Sequence, residues 1–273
     1  MPSHYVSRHF GTLGALKTPS TACASGTQSI GEGAELIRYG KADIVICGGV
    51  EAILQDYTIA GFEAMNALAT DYEDAPHKAS RPFDALRSGF VFSEGCGIVI
   101  LESAEHAEKR GATIYGEILG HASSSDAYHV AALDPEGWGA WRSMKWALED
   151  AHVSADAINY INAHGTSTPA NDAMETIAIK RLLGDKAYHV PISSTKSMLG
   201  HALAASGAIE VIACALMLKE QVIHPTINLD NPDPACDLDY VPHTTRDVTN
   251  MNIILSNSFG LGGQNASIVL GKI

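Results

Sequence analysis

Four short segments of this chain carry side chains that could act on a substrate. In TACASG at 21 to 26, Cys23 stands just before a helix that opens with small residues. Free backbone N–H groups and the positive helix end there can face the sulfur, and both favour thiolate over thiol. A thiolate attacks carbonyl carbon, so Cys23 reads as a nucleophile or, in the plainer alternative, as a buried helix-start cysteine. NAHGTSTPAND at 162 to 172 is a strand end, a Gly-containing turn and the N-cap Thr168, with Pro169 in the first helical turn. His164 is then either a working imidazole or a hydrogen-bonded core histidine, with Thr166 and Thr168 as turn and cap residues in the second case.

The third segment, SSTKSMLGHALAASG at 193 to 207, sets Lys196 and His201 five residues apart ahead of an apolar helix. Gly200 between them permits an unusual backbone turn. A lysine among small apolar neighbours needs a partner, which sets Lys196 apart from an ordinary surface lysine. The fourth, SNSFGLGGQN at 256 to 265, has three glycines within four residues and so brings backbone amides close to whatever faces it. It lacks the GK[ST] ending of a phosphate loop and the strand–GxGxxG–helix setting of a dinucleotide fold. A backbone oxyanion hole or a tight structural turn is the better reading.

The elements that must position these residues alternate between strand-like apolar runs and helices, which predicts a layered α/β fold. Residues 24 to 39 read as a helix stopped by Gly40, followed by the strand ADIVICGG at 42 to 49, whose unbroken apolar run predicts cover on both faces. GIVILE at 97 to 102 leads into the short helix EHAEKR with a stop at Gly111, and IYGEILGHASSSD begins a further strand. The second half continues with helix 138–151, strand 157–163, helix 170–183, strand 190–195, helix 203–219 and strands near 252–258 and 265–270. The helices at 24–37 and 203–218 are small or apolar on nearly all faces, which means burial between layers. Each follows one of the reactive turns, which hints at two related halves without a direct repeat.

With 273 residues, 46% of them hydrophobic and 18% charged, the chain can bury a sizeable core. A formal net charge of -13 argues against a nucleic-acid-binding surface. No run approaches the roughly 18 apolar residues of a membrane span, and no secretory signal core is present, so a cytoplasmic setting without membrane contact is expected. The first 31 residues hold Arg8 and Lys17 but no acid, a loose likeness to a mitochondrial or plastid transit sequence. Five widely spaced cysteines without a CxxC pair predict neither a disulfide framework nor a structural metal, and each is by default a buried small hydrophobe.

TACASG, NAHGTSTP, SSTKSMLGH and NSFGLGG together, in this order, resemble the β-ketoacyl-acyl-carrier-protein synthases, condensing enzymes of the thiolase-like superfamily, across nearly the whole chain. The resemblance implies a layered α-β-α-β-α fold with an incomplete N-terminal half, since roughly the first third of the usual chain is missing. It divides the chain into residues 1–113, carrying the nucleophile, and 114–273. It implies decarboxylative condensation of an acyl group on Cys23 with malonyl-carrier protein. His164 and His201 would stabilise the enolate, Lys196 would support them, and the amides of Cys23 and Leu261 would form the oxyanion hole. Thr166 and Thr168 match residues that hold a phosphopantetheine arm, and Phe62 and Phe259 join them as substrate-binding residues. Asn162, Glu210 and Ser256 match a site that can hold a monovalent cation; otherwise no cofactor is expected, because phosphopantetheine arrives on the acyl-carrier protein. The family pairs as homodimers.

Several positions depart from the family pattern. Leu261 replaces a gating phenylalanine common in the family, Ser88 a common acid, and Asn66 an arginine often found near the carrier-docking mouth. TPSTAC is also short of the strand-forming residues that usually precede the cysteine. A thiolase would normally carry a second cysteine in the last motif, where this chain has Ser258 and Gly260. The remaining alternatives are a non-catalytic ketosynthase partner, against which intact Cys23 argues, a truncated and catalytically damaged chain, for which the short N-terminus argues, and a polyketide-type ketosynthase in place of one for fatty-acid synthesis.

Overall fold

A computed structural model describes residues 2–273 and bears out the α/β alternation. Helix α1 (Pro2–Phe10) and a 3₁₀ turn at Ala22–Ala24 lead into α2 (Ser25–Arg38), β1 (Ile44–Glu51), α3 (Asp56–Ala64), β2 (Gly95–Glu102) and α4 (Ala104–Lys109). The chain continues through β3 (Glu117–Ser125), α5 (Trp138–Asp150), β4 (Tyr160–Asn162), α6 (Pro169–Leu183), β5 (Ile192–Ser193) and α7 (Lys196–Leu199). A second 3₁₀ turn at Leu203–Ala205 precedes α8 (Ser206–Glu220), and β6 (Val222–Ile223), β7 (Arg246–Asp247), β8 (Ile253–Gly260) and β9 (Gln264–Gly271) complete it. The sequence did not suggest α1, α3 or α7. β4 and β5 are shorter than the expected 157–163 and 190–195, and no strand forms in TPSTAC.

One sheet has five strands in the order β3-β9-β8-β4-β5. β4 is parallel to both β5 and β8, while β9 is antiparallel to β3 and β8. On one face, Met144 and Leu148 of α5 and Ile179 of α6 pack with Ile161, Leu255 and Val269 of the strands. On the other, Ile30 of α2 and Val211, Cys214 and Leu218 of α8 pack with Ile254 and Ile268. Beyond α2 and α8 lies an antiparallel ribbon of β1 and β2, which joins the same core through Cys47, with Val45, Val99 and Leu101 packed against it. The layers therefore run α5/α6, sheet, α2/α8, ribbon, and α8 is apolar nearly all round because it is sandwiched. Gly97 allows the close approach: a Cβ there would lie 2.6 Å from the backbone nitrogen of Ile209.

The expectation of cover on both faces at 42 to 49 is corrected. Strand side chains alternate between faces, and the ribbon's outer set is open, with Ile44, Val50 and Ile98 each 47% exposed and Ile100 56%. Cys96, on that outer face, is exposed rather than buried, and all five cysteines are free thiols. Among the described residues no helix is long and apolar enough to cross a membrane.

Candidate active site

Cys23 sits in the 3₁₀ turn ahead of α2, and the turn at Leu203–Ala205 ahead of α8 repeats that arrangement. Both turns hold a side chain in the left-handed region, Ala22 at φ 49° and Leu203 at φ 40°. Such a conformation in a residue with a Cβ persists only where surrounding packing fixes it. The second turn places His201. The imidazole Nε2 lies 3.1 Å from Cys23 Sγ, and Nδ1 lies 2.9 Å from Ser206 Oγ. His164 completes the cluster, its ring edge-on to that of His201 with centroids 5.3 Å apart. The sulfur and one nitrogen of each ring fall within 4.8 Å of one another, and Cys23, His164 and His201 are only 4%, 2% and 2% exposed.

Each imidazole is held through its backbone. His164 follows the end of β4, and the N–H groups of His164 and Gly165 each donate to the Glu175 carboxylate of α6 at 2.8 Å. His201 donates its N–H to the Val91 carbonyl at 2.7 Å and accepts from the Ser93 N–H at 3.1 Å. Gly200 makes this possible, since its φ is +72° and a Cβ would stand 2.9 Å from the Val91 carbonyl oxygen. SNSFGLGGQN forms the hairpin of β8 and β9, with Leu261 at its tip. The amides of Leu261 and Cys23 both act on the Cys23 sulfur to favour its thiolate. The loop is thus at once a tight structural turn and a pair with Cys23 of N–H donors at one atom.

The expected preference of Cys23 for thiolate is reversed. Burial pushes the thiol up to about 11, although the Lys196 charge and the two amides pull the other way. Desolvation penalises the charged form, and at this depth it outweighs a turn's worth of dipoles. The same burial, reinforced by Lys196, holds both His164 and His201 well below the ordinary imidazole range, so both rings are neutral. Lys196 is itself buried, with Nζ 2.5 Å from Glu210 Oε1. That carboxylate is the partner its sequence setting called for. Burial pushes Glu210 upward and Lys196 opposes it.

The remaining predicted residues gather around this centre. Phe259 packs edge-on to His164 at 5.8 Å, and Phe62 packs on Phe90 and Phe92, of which Phe90 meets the His201 ring at 5.3 Å. Thr166 and Thr168 share a hydroxyl contact of 2.9 Å, and Thr168 caps α6 by accepting from the Asn171 N–H, as its sequence predicts. Asn162 and Ser256 face each other across β4 and β8, where the Ser256 hydroxyl donates to Asn162 Oδ1 at 3.3 Å. Glu210 hydrogen-bonds neither of them; its Oε2 is buried without a partner. Sequence reasoning missed Glu175, Ser206, Phe90 and Phe92. Burial of Asn171, Asp172, Glu175 and Thr176 along α6 hides any amphipathic signal there, whereas Ser206 was within the quoted segment and was passed over.

The layered fold thus gathers a buried cysteine and two neutral imidazoles at one point. The chain belongs to the β-ketoacyl synthase family: the N-terminal domain of the family matches residues 1–107 and the C-terminal domain residues 115–230. It is 49% identical over 272 residues to 3-oxoacyl-[acyl-carrier-protein] synthase 2 of Synechocystis, covering 100% of this chain and 65% of that protein. The namesake from Rhizobium meliloti is 50% identical over 252 residues, 92% of this chain and 59% of its own length. A type II polyketide ketosynthase, solved with its acyl-carrier protein and bound to a hexaketide, superposes with a TM-score of 0.97 at 44% identity over 99% of this chain and 66% of that one. A β-ketoacyl synthase from Burkholderia phymatum gives 0.92 at 41% identity, over 98% and 64%. The chain thus spans about two thirds of the length of these relatives.

Proposed function

We propose that this chain carries the catalytic centre of a ketosynthase that condenses an acyl thioester with malonyl-acyl-carrier protein in fatty-acid synthesis. The observation that carries the reading is the contact of Cys23 with His201, beside His164, with two backbone amides at the same sulfur. Cys23 accepts the acyl group as a thioester, and the Leu261 and Cys23 amides hold the oxyanion of that transfer. Neutral imidazoles suit the second step, because an N–H donor can hold the enolate oxygen left by carbon dioxide without giving up a full proton. Burial, with repulsion from Lys196 added to it, keeps both rings neutral. Thr166 and Thr168 bind the phosphopantetheine arm, and Phe62 and Phe259 line the acyl and malonyl approaches. Residues 1–113 and 114–273 are the two halves of one unit, which works in the cytoplasm with acyl-carrier protein and, when complete, with a second copy of itself.

The unpartnered Glu210 Oε2, with Asn162 Oδ1 and Ser256 Oγ, offers hard oxygen donors that fit a monovalent cation. Those three would hold it, and it would supply a positive charge beside Glu210. A polyketide-type ketosynthase is the second reading, supported by the similarity to the polyketide enzyme. The test is a split of the two steps. Cys23→Ala is expected to abolish acyl capture, whereas His164→Ala and His201→Ala should retain it and lose condensation by about a hundredfold or more. Unchanged condensation in both histidine variants would refute the assignment.

A further inference from the structure

We infer that Ser206 is a positioning residue that relays protons between His201 and a cavity behind the site, switching His201 between the two tautomers its two tasks require. The inference rests on the functional reading above. Three observations carry it. His201 bridges Cys23 and Ser206 through its two ring nitrogens, at 3.1 and 2.9 Å, wholly within the protein. Ser206 also lines a cavity of about 130 Å³, in which Ser93, Glu94, Thr195, Lys196 and Glu210 stand beside an apolar wall of Leu199, Ala202 and Ile209. Within that wall, Ser93 Oγ and Glu210 Oε2 are buried without a partner.

Unpaired buried oxygens call for a partner, and on the polar side of this cavity there is room for water at roughly 30 Å³ per molecule. Glu94 and Leu199, both exposed, are on its solvent side. The sulfur, the imidazole and the Ser206 hydroxyl thus form a chain of contacts that ends at a residue lining this cavity.

The two half-reactions need opposite settings of His201. In acyl capture, the thiol hydrogen passes to Nε2, the Nδ1 hydrogen passes to Ser206 Oγ, and Ser206 releases its own hydrogen to cavity water. The sulfur bonds the acyl carbon as the carrier C–S bond breaks, and the departing carrier thiolate takes a proton from solvent. This leaves His201 with hydrogen on Nε2, the setting that can hold an enolate oxygen, while Ser206 donates to Nδ1. Malonyl C–C cleavage then gives carbon dioxide and the enolate, whose carbon attacks the acyl carbon and breaks its bond to Cys23. The freed thiolate recovers the hydrogen from Nε2, Nδ1 takes one from Ser206, and Ser206 takes one from the cavity. One proton is consumed per condensation, and the starting tautomer is restored.

The experiment is single-turnover acylation of the chain by an octanoyl N-acetylcysteamine thioester, followed by intact mass in mixtures of H₂O and D₂O. Ser206→Ala should slow acylation about tenfold or more and turn a curved dependence on deuterium fraction into a linear one, with Ser206→Thr restoring both. Ser206→Ala acylating within about twofold of the unsubstituted chain, with the same isotope dependence, would overturn the relay and leave the functional reading standing. No acylation of the unsubstituted chain would overturn the functional reading itself, and the relay with it. A second measurement needs no variant: ring-nitrogen chemical shifts of His201 should report hydrogen on Nδ1 before acylation and on Nε2 after. One tautomer throughout contradicts the relay.

Discussion

β8–β9 and β1–β2 are both antiparallel ribbons of eight-residue strands, and α8 packs between them. Their surroundings differ. β8–β9 has a strand on each side and helices on both faces, and every residue of either strand after the first is buried. Among the described residues β1–β2 has no neighbouring strand, and it shows its outer apolar set to solvent. The proposed catalytic cluster straddles this divide. His164, Lys196, His201 and Leu261 stand on the well-covered part, whereas Cys23 is delivered by α2. That helix is anchored across the boundary by the Thr27 and Ser258 hydroxyls at 2.8 Å and by Arg38 on Asp150 at 2.8 Å. The sulfur's position is therefore set by contacts with the covered half more than by its own ribbon.

The largest expected effect comes from matched truncations. Ile254→Ala, in fully buried β8, should cost about 2–5 kcal/mol of unfolding free energy, while Ile100→Ala on the open ribbon face should stay within about 0.5 kcal/mol. Denaturant titration of both variants decides it, and equal losses would show that the ribbon is covered in solution by something that binds its outer face.

A second contrast is in pH. Glu175 supports the His164 loop from a buried position, and burial pushes its carboxyl up to about 7. A raised folded pKa gives stability that is full below the unfolded carboxyl value and is lost as pH rises through about 7. Over that window the unfolding free energy of the parent, taken relative to Glu175→Gln, should fall by about 3 kcal/mol. A difference independent of pH would contradict the assignment. His164 and His201 act in the opposite sense, losing stability as pH falls, and cancel in the comparison because both proteins contain them.

The smallest effect separates the cysteines. Cys96 on the open ribbon should alkylate ahead of buried Cys23, so brief labelling of the parent marks the ribbon first. In Cys96→Ser, labelling of Cys23 should rise about tenfold per pH unit through neutrality, because its thiol is held up to about 11. A plateau near pH 8 would mean that Lys196 and the amides outweigh burial.

Much of this was legible in the chain itself. Alternating apolar runs gave the layers, Thr168 with Pro169 marked the start of α6, and the apolar girth of 203–218 announced a sandwiched helix. The open ribbon face was not legible in the strands themselves, because an apolar run records what a strand is suited to meet and not what is present to meet it; it followed only from the resemblance, whose incomplete N-terminal half leaves 42–49 and 89–102 without a neighbour. Nor was the Cys23 thiol, whose environment is set by depth of burial, a property contributed by Phe90, Leu203 and other distant residues. Glu175 stayed hidden because its two shortest hydrogen bonds are to backbone N–H groups, which every sequence has everywhere.

The central claim is that Cys23 is a working nucleophile in this chain. Intact-protein mass spectrometry after incubation with an acyl-carrier protein bearing an octanoyl group tests it most directly. One acyl adduct per chain, mapped to Cys23 and absent from Cys23→Ala, is the predicted result; no adduct, or one that persists in Cys23→Ala, would contradict it.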